Sequence, residues 1–299
     1  MTLRLATRSS PLALEQARRV QARLAACGVT DVEIVTTESE GDLRGDVPIS
    51  ALGGWGAFTN AIDRAVIEGR ADVAVHSAKD LPSSVPAPEL DLAAVPERAD
   101  ARDVLVGAGL EELAPGGLVL TGAPRRRAQL AHLRPDLCFG ELRGNVKSRL
   151  DKLPDGGAVV VALAALERLG IALAAAEVLP LSVMLPQVGQ GALALRCRMD
   201  DEASRASLEA IDDAIAHRCL LAERAFLAEL GGGCRSPVGA YATSQASTGL
   251  MEIEAMIASG DGHLMLRRRL RGEDPTELGR EVARQLLSED GGAALLEGP

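Results

Sequence analysis

The feature that most constrains the fold is a strand, helix and strand pattern at the start of the chain. Leu3 to Thr7 is a short apolar strand, and Ser10 and Pro11 then suit the N-cap and first position of a helix with apolar residues at helical spacing. Gly28 ends this helix, and Val32 to Thr37 forms the next strand. Because such a crossover joins parallel strands, the chain is expected to begin as a doubly wound α/β domain.

Composition agrees with α/β layers. The 299 residues are 47% hydrophobic but only 2% aromatic, so the core must be built from aliphatic side chains. The net charge of −10 and the lack of a basic tail argue against nucleic acid and anionic membranes as partners. The five scattered cysteines and the absence of metal-ligand spacing predict reduced thiols and no bound metal. No signal segment or membrane span is evident, which predicts a soluble, cytoplasmic protein.

Three domains are expected along the chain. A polar stretch at 96–103 leads into a second α/β region, and 186–192 is a second crossing point, so the two α/β domains would enclose a cleft. The last third has a long helical region with a break near Asp212, followed by grouped strands, which predicts a small α+β domain. The predicted boundaries are 1–96 with about 193–211, then 100–188, then about 214–299.

Asp80 is the candidate catalytic acid or base. It comes just after the predicted strand at 71–77, and ligands of α/β domains bind outside the carboxyl ends of parallel strands. Lys79 beside it is suited to pair with a substrate carboxylate. An ordinary polar turn explains the same residues equally well, so this spacing alone leaves both interpretations open.

Cys234 lies in the run Leu230-Gly-Gly-Gly-Cys-Arg-Ser-Pro-Val-Gly239. Three glycines leave space around the sulfur, and Arg235 favours the thiolate, which is typical of a thiol used covalently. Taken by itself, such a motif is more often a turn in which the cysteine is a small hydrophobic residue, because free cysteines are often buried.

Several arginines lie where a predicted strand ends or a helix begins. In an acidic chain this pattern indicates a small polyanionic ligand, although solvated surface arginines explain any one of them. Two classes fit: a transferase with a covalent thiol attachment, and an anion-binding protein of the periplasmic-receptor type, in which the thiol has no task. The arginines are Arg8, Arg125, Arg126, Arg127, Arg143, Arg149 and Arg168.

Five motifs in a fixed order make the chain resemble the hydroxymethylbilane synthase family, also called porphobilinogen deaminases. The resemblance runs nearly end to end. It implies two domains similar to type II periplasmic binding proteins plus a small C-terminal α+β domain. The motifs are Ala6-Thr-Arg-Ser-Ser-Pro-Leu-Ala13, His76-Ser-Ala-Lys-Asp-Leu-Pro82, Leu142-Arg-Gly-Asn-Val146, Leu185-Pro-Gln-Val-Gly-Gln-Gly-Ala192 and Gly232-Gly-Cys234.

The resemblance also implies a reaction and its residues. A dipyrromethane cofactor would be held by a thioether to Cys234, and Asp80 would be catalytic. Porphobilinogen units would be added head to tail with loss of ammonia, and water would release hydroxymethylbilane for tetrapyrrole and heme biosynthesis. The protein would be a monomer. Implied cofactor contacts are Lys79, Arg125, Arg126 and Ser10, and implied contacts to the substrate and the growing polypyrrole are Arg8, Arg143, Arg149 and Arg168.

The chain departs from the family pattern in two places. Gly122 and Ala123 stand where the family has a pair of hydroxyl residues before its two arginines. In the glycine-rich loop, Trp55, Asn60 and Ala61 replace two lysines and a glutamate. These changes raise the alternative of a diverged relative that binds a tetrapyrrole or another polycarboxylate without catalysis.

Overall fold

The computed structural model describes residues 2–37, 60–82, 87–231 and 236–296. Cys234, the predicted glycine-rich loop at 39–58 with Trp55, and the side chain of Asn60 lie outside the described residues. In chain order, the strands are β1 (Leu3–Arg8), β2 (Val32–Thr37), β3 (Val73–Ser77), β4 (Leu90–Ala94), β5 (Asp103–Gly107), β6 (Leu118–Leu120), β7 (Cys138–Gly140), β8 (Ala158–Ala162), β9 (Ala176–Val178), β10 (Leu193–Arg198), β11 (Val238–Ser244), β12 (Met251–Ala258) and β13 (Met265–Gly272). The helices are α1 (Pro11–Ala26), α2 (Asn60–Ile67), α3 (Pro124–Leu133), α4 (Val146–Leu150), α5 (Leu163–Arg168), α6 (Glu202–Glu209), α7 (Ala214–Glu229), α8 (Pro275–Arg284) and α9 (Ala293–Leu296).

The N-terminal strand, helix and strand unit is confirmed. The Ser10 Oγ accepts a hydrogen bond from the Ala13 N–H at 3.4 Å, so Ser10 is the N-cap of α1, and Pro11 is its first residue. Gly28 follows the helix with a φ of 92°, a left-handed conformation that glycine adopts without strain. β1 and β2 then pair in parallel.

The first sheet has the order β2-β1-β3-β10-β4. β1 is parallel to β2 and β3, whereas β10 runs antiparallel to both β3 and β4. Leu5, Leu195 and Val73 are fully buried in its core. β10 returns to this sheet from the second crossing point, as the sequence predicts.

The second sheet has the order β7-β6-β8-β5-β9. Its β6 is parallel to β7 and β8, and its β5 is antiparallel to β8 and β9, so strand for strand it repeats the first sheet. The two sheets thus have the same strand order. In each, the fourth strand in that order, β10 or β5, is antiparallel to its neighbours and follows a crossing segment, which confirms the predicted type II α/β class for both sheets. Asp103, the last residue of the predicted polar stretch at 96–103, already begins a buried strand.

The C-terminal sheet is antiparallel, with the order β11-β12-β13, and α8 packs against it through the buried Leu278 and Val282. This arrangement confirms the small α+β domain. The predicted break in the long helical region is also confirmed. It lies between α6 and α7, where the Asp213 carboxylate accepts the backbone N–H groups of Ile215 and Ala216 at 3.0 and 2.8 Å and so starts a new helix.

The chain divides into two compact units. One comprises Met1–Ala99 and Ala192–Leu220, and the other comprises Asp100–Gly191 and Leu221–Pro299. The first unit holds the first sheet, and the second unit holds the other two sheets. The three-domain boundaries drawn from the sequence stay a prediction.

Candidate functional site

The first unit brings four of the predicted site residues to one edge of its sheet. Arg8 ends β1, and Lys79 and Asp80 lie in a single 3-10 turn directly after β3. Because β1 and β3 are parallel neighbours, their carboxyl ends meet at the same edge. Ser10, the N-cap of α1, lies two residues beyond Arg8. The roles of these residues stay predictions, but their common location follows from the sheet.

The turn that carries Asp80 is anchored to the core. The Ala78 N–H donates to the carbonyl of Ala192 at 3.0 Å, and the Leu81 N–H donates to the carbonyl of Ala78 at 3.3 Å. Ala78 and Leu81 are both buried. Asp80 itself is exposed. Its backbone is therefore held in place, while its carboxylate is open to solvent.

A buried polar network lies on the strand that leads to Asp80. His76 is buried, with its Nε2 2.8 Å from Asp63 Oδ1. Arg196 donates from Nη1 to the other Asp63 oxygen at 2.5 Å, and from Nη2 to the carbonyls of Ala87 and Leu90 at 3.0 and 3.1 Å. The network joins α2, β3, β10 and the start of β4, and so fixes the strand before the Asp80 turn.

The second unit places its predicted arginines after the parallel strands of its own sheet. Arg125 and Arg126 begin α3 after β6, Arg143 follows β7, and Arg168 ends the helix after β8. These three strands are parallel, so their carboxyl ends share one edge. Arg127 is exposed on α3.

Arg125 and Arg126 are buried and turn toward a carboxylate rather than toward solvent. Arg126 donates to Asp103 Oδ1 from Nε at 3.2 Å and from Nη2 at 2.7 Å, and from Nη1 to the carbonyl of Val160 at 3.0 Å. Arg125 places its Nη2 2.9 Å from Asp103 Oδ2 and donates from Nη1 to the carbonyl of Leu185. Asp103 is fully buried between the two guanidinium groups.

The charges of this cluster balance one another only in part. Burial alone would raise the pKa of Asp103, but the charges of Arg125 and Arg126 outweigh burial and hold that pKa below its ordinary value. Burial lowers the pKa of Arg125, and Asp103 opposes that shift. Although Asp103 Oδ2 is close to Arg125, it has no partner with hydrogen-bond geometry. Two cations and one anion therefore share a site without solvent.

The remaining predicted arginines differ in exposure. Arg143 is exposed and lies 3.3 Å from the Glu141 carboxylate, and Arg149 is half-buried with its Nε donating to the carbonyl of Gly144 at 2.8 Å. Arg168 is buried, and its Nη2 donates to the carbonyl of Gly191 at 2.6 Å. Arg168 thus contacts the crossing segment, a contact that its sequence position does not suggest.

Buried side chains of the second unit hold the motif at 185–191. The carboxylate of Glu223, which is fully buried, accepts the N–H groups of Gly189 at 2.7 Å and Ala242 at 2.9 Å. Gln190 donates to the carbonyl of Ala101 at 2.7 Å and to Asp103 Oδ1 at 2.8 Å. The motif is therefore fixed by the Glu223 side chain of α7 and by the contacts of Gln190 to Ala101 and to Asp103 at the start of β5.

A cavity of about 130 Å³ lies beside these segments in the second unit. One wall is the stretch Gly122 to Arg125, and the other walls include Gln187, Leu227 and Ser236. The volume is below the roughly 300–1,000 Å³ usual for ligand pockets, so the cavity has room for part of a ligand only. Ser236 follows Cys234 by two residues in the sequence.

Sequence reasoning missed the residues that hold the arginines. Asp103 was assigned to a polar connection, although a charged residue at the start of the apolar run Asp103–Gly107 could have indicated a buried partner. Gln190 and Glu223 carry no local signal, because their partners lie far away in the chain. Among the residues that the structure describes, no cluster of His, Cys, Asp or Glu is arranged to hold a metal ion. No helix in those ranges is long and apolar enough to cross a membrane.

Comparison with solved structures gives distant likenesses. The effector-binding domain of BenM with its effector benzoate is 15% identical, with a TM-score of 0.41 over 70% of this chain and 90% of that one. The methionine-binding protein MetQ is 12% identical, with a TM-score of 0.42 over 71% of this chain and 91% of that one. At such scores these likenesses support no conclusion about the chain.

Sequence comparison gives much closer relatives. The porphobilinogen deaminase of Acidothermus cellulolyticus is 45% identical, and the match covers 99% of this chain and 92% of the relative. The porphobilinogen deaminase of Roseiflexus sp. strain RS-1 is 46% identical, with 99% of both chains covered. The family model for the dipyrromethane cofactor-binding domain of porphobilinogen deaminase matches residues 3–206, and the model for its C-terminal domain matches residues 217–288. The chain therefore belongs to the porphobilinogen deaminase family.

Proposed function

We propose that the chain is a hydroxymethylbilane synthase, a transferase that joins porphobilinogen units head to tail with loss of ammonia. Water then releases the linear tetrapyrrole hydroxymethylbilane. The observation that carries this proposal is the placement of Asp80 and of the arginines at the carboxyl ends of parallel strands, in a chain that belongs to the family throughout its length.

The donor set suits a dipyrromethane group with carboxylate side chains. The cavity of the second unit has Arg125 in its wall, and guanidinium forks match carboxylates. Cys234 would anchor the group by a thioether, and Arg125, Arg126, Lys79 and Ser10 would contact it. When bound, the group would supply the end to which the first porphobilinogen is joined.

Asp80 would act on the substrate. As ammonia leaves the aminomethyl group of porphobilinogen, positive charge develops on the pyrrole, and a fixed carboxylate stabilises that charge. The same carboxylate is suited to accept the proton lost when the new pyrrole becomes aromatic again. Its anchored turn favours this task, because a base must stay within hydrogen-bond reach of the proton that it takes.

The exposed and half-buried arginines would bind the carboxylates of the substrate and of the growing polypyrrole. Each pyrrole unit brings two carboxylates, so a lengthening chain needs several cationic partners. Arg8, Arg143 and Arg149 are open to solvent at least in part, which suits this role. Arg168 is the weakest candidate, because it is buried and bonded to Gly191.

The decisive measurement is the mass of the intact protein. We expect the isolated chain to carry the extra mass of two linked pyrroles on Cys234, and the C234S variant to lack it. A wild-type chain without this mass that also gains none from porphobilinogen would contradict the proposal.

Asp80→Asn should keep the fold and lower turnover by about 10²–10⁴-fold, the usual contribution of a general acid or base. Asp200→Asn is a matched control, since Asp200 belongs to the same unit and its side chain is 90% exposed. Near-normal turnover in Asp80→Asn would remove Asp80 from the catalytic role.

The alternative is a relative that binds a polycarboxylate without catalysis, suggested by Gly122 and Ala123 in the cavity wall. Incubation with porphobilinogen separates the two functions. Consumption with release of ammonia supports the enzyme, whereas saturable binding without consumption supports the binding protein. We further propose a cytoplasmic location, because none of the described cysteines Cys27, Cys138, Cys197 and Cys219 forms a disulfide. The proposal of a monomer rests on the family resemblance alone.

A further inference from the structure

We infer that Asp103 is a positioning residue that holds Arg125 and Arg126 in the orientation with which they meet a carboxylate ligand. The carboxylate ligand is the one that the proposed function implies, so the inference rests on that function. Asp103 does not line the cavity, so it would act through the arginines and not by contact.

Arg126 is the more firmly held of the two. A guanidinium has five N–H donors, and Arg126 uses three nitrogens on internal acceptors, two of them on the same Asp103 oxygen. The side chain is only 6% exposed. Its orientation is therefore determined by Asp103 and by the carbonyl of Val160 on the neighbouring strand.

Arg125 is held less completely, and it is the arginine in the cavity wall. Its Nη1 donates to the carbonyl of Leu185, while its Nη2 faces Asp103 Oδ2 at 2.9 Å without hydrogen-bond geometry. A buried carboxylate oxygen without a hydrogen-bond partner is costly to keep. Here its negative charge keeps the Arg125 guanidinium at the wall.

The net charge of the cluster also supports a positioning role for Asp103. Two buried cations face one buried anion, so the cluster retains one positive charge next to a cavity that is expected to receive a carboxylate. Gln190 adds a neutral hydrogen bond to Asp103 at 2.8 Å and fixes the carboxylate from the crossing segment. Without Asp103 the two guanidinium groups would repel each other and lose their common anchor.

Asp103→Asn tests the inference, with Asp72→Asn as a matched control. Asp72 is also a buried carboxylate bonded to an arginine, Arg4, but it belongs to the other unit. Full-length chains are produced in the absence of porphobilinogen, so that they lack the two-pyrrole mass, and the gain of that mass is followed over time once porphobilinogen is added. We expect the gain to be at least tenfold slower in Asp103→Asn and within twofold of wild type in Asp72→Asn. An unchanged rate in Asp103→Asn, or equal losses in both variants, would overturn the inference.

A second comparison decides the matter if Asp103→Asn does not fold. Arg126→Met and the double variant Asp103→Asn/Arg126→Met differ only at Asp103, and the double variant removes a cation together with the anion. The rate at which phenylglyoxal modifies Arg125 is measured by peptide mass, relative to the buried Arg168. We expect Arg125 to react at least tenfold faster in the double variant. Equal rates would mean that Asp103 does not hold Arg125.

The two readouts separate this inference from the proposed function. If wild type neither carries the two-pyrrole mass nor gains it from porphobilinogen, the proposed function fails, while the phenylglyoxal comparison still decides whether Asp103 positions Arg125. If wild type gains the mass and the phenylglyoxal rates are equal, the enzyme stands and the positioning role fails.

Discussion

Gly122 provides the sharpest test of how the fold limits the residues at the cavity. The family pattern has a hydroxyl residue at this position, so Gly122→Ser is a natural variant to make. A β carbon at Gly122 would lie 2.5 Å from the carbonyl oxygen of Leu142, closer than such atoms approach in proteins. That oxygen belongs to the backbone after β7 and cannot turn away as a side chain does. We therefore expect Gly122→Ser to destabilise the protein by about 1–3 kcal/mol, the usual cost of overpacking.

Ala123→Ser is the matched variant, because Ala123 already has a β carbon and is the N-cap of α3 with φ −110° and ψ 114°. No side chain caps this helix, so a serine oxygen there should stabilise it by about 0.5–2 kcal/mol. Urea denaturation followed by far-ultraviolet circular dichroism measures both variants. With a slope of about 3 kcal/mol per M, a loss of 2 kcal/mol lowers the midpoint by about 0.7 M. A Gly122→Ser midpoint equal to or above that of wild type would refute the steric argument.

Two further predictions concern buried carboxylates. Burial alone would raise the pKa of Asp72, but the hydrogen bonds from Arg4 hold it below its ordinary value. Asp72 therefore contributes its full stabilisation above its unfolded-state pKa of about 3.9, and this stabilisation is lost as the pH falls through the lower pKa of the folded state. Urea midpoints measured from pH 7 to 2 should therefore fall less steeply in Asp72→Asn than in wild type. Glu223→Gln should lower the free energy of unfolding by about 1–3 kcal/mol. Each carboxylate oxygen of Glu223 accepts a backbone N–H group, and glutamine replaces one of these two acceptors with an NH2 donor. Exposed Glu229→Gln should stay within about 0.5 kcal/mol by the same urea assay, and equal midpoints for the two glutamine variants would contradict the role given to Glu223.

Sequence patterns located most of the elements that have local signals. α1 begins after its predicted N-cap Ser10 and ends just before its predicted stop residue Gly28, and β2 has its predicted bounds of Val32 and Thr37. The helices α5 and α9 were missed. The strands missed were β4, β5 and β9, short strands that extend the two sheets at or next to an edge. Their residues show no clear alternation, and they become strands because neighbours distant in sequence supply the hydrogen bonds.

The candidate site divides in the same way. The sequence alone was enough to put Asp80 after a strand and Arg125 and Arg126 at the start of a helix, because caps, glycines and apolar periodicity act within a few residues of the chain. Only the tertiary structure decided that both arginines turn inward to Asp103. The strand order brings β5 next to β8, and β8 next to β6, so residues far apart in the sequence meet in one buried cluster. A buried charge must be paired where it lies, and its partner depends on which strands are neighbours, which no local pattern encodes.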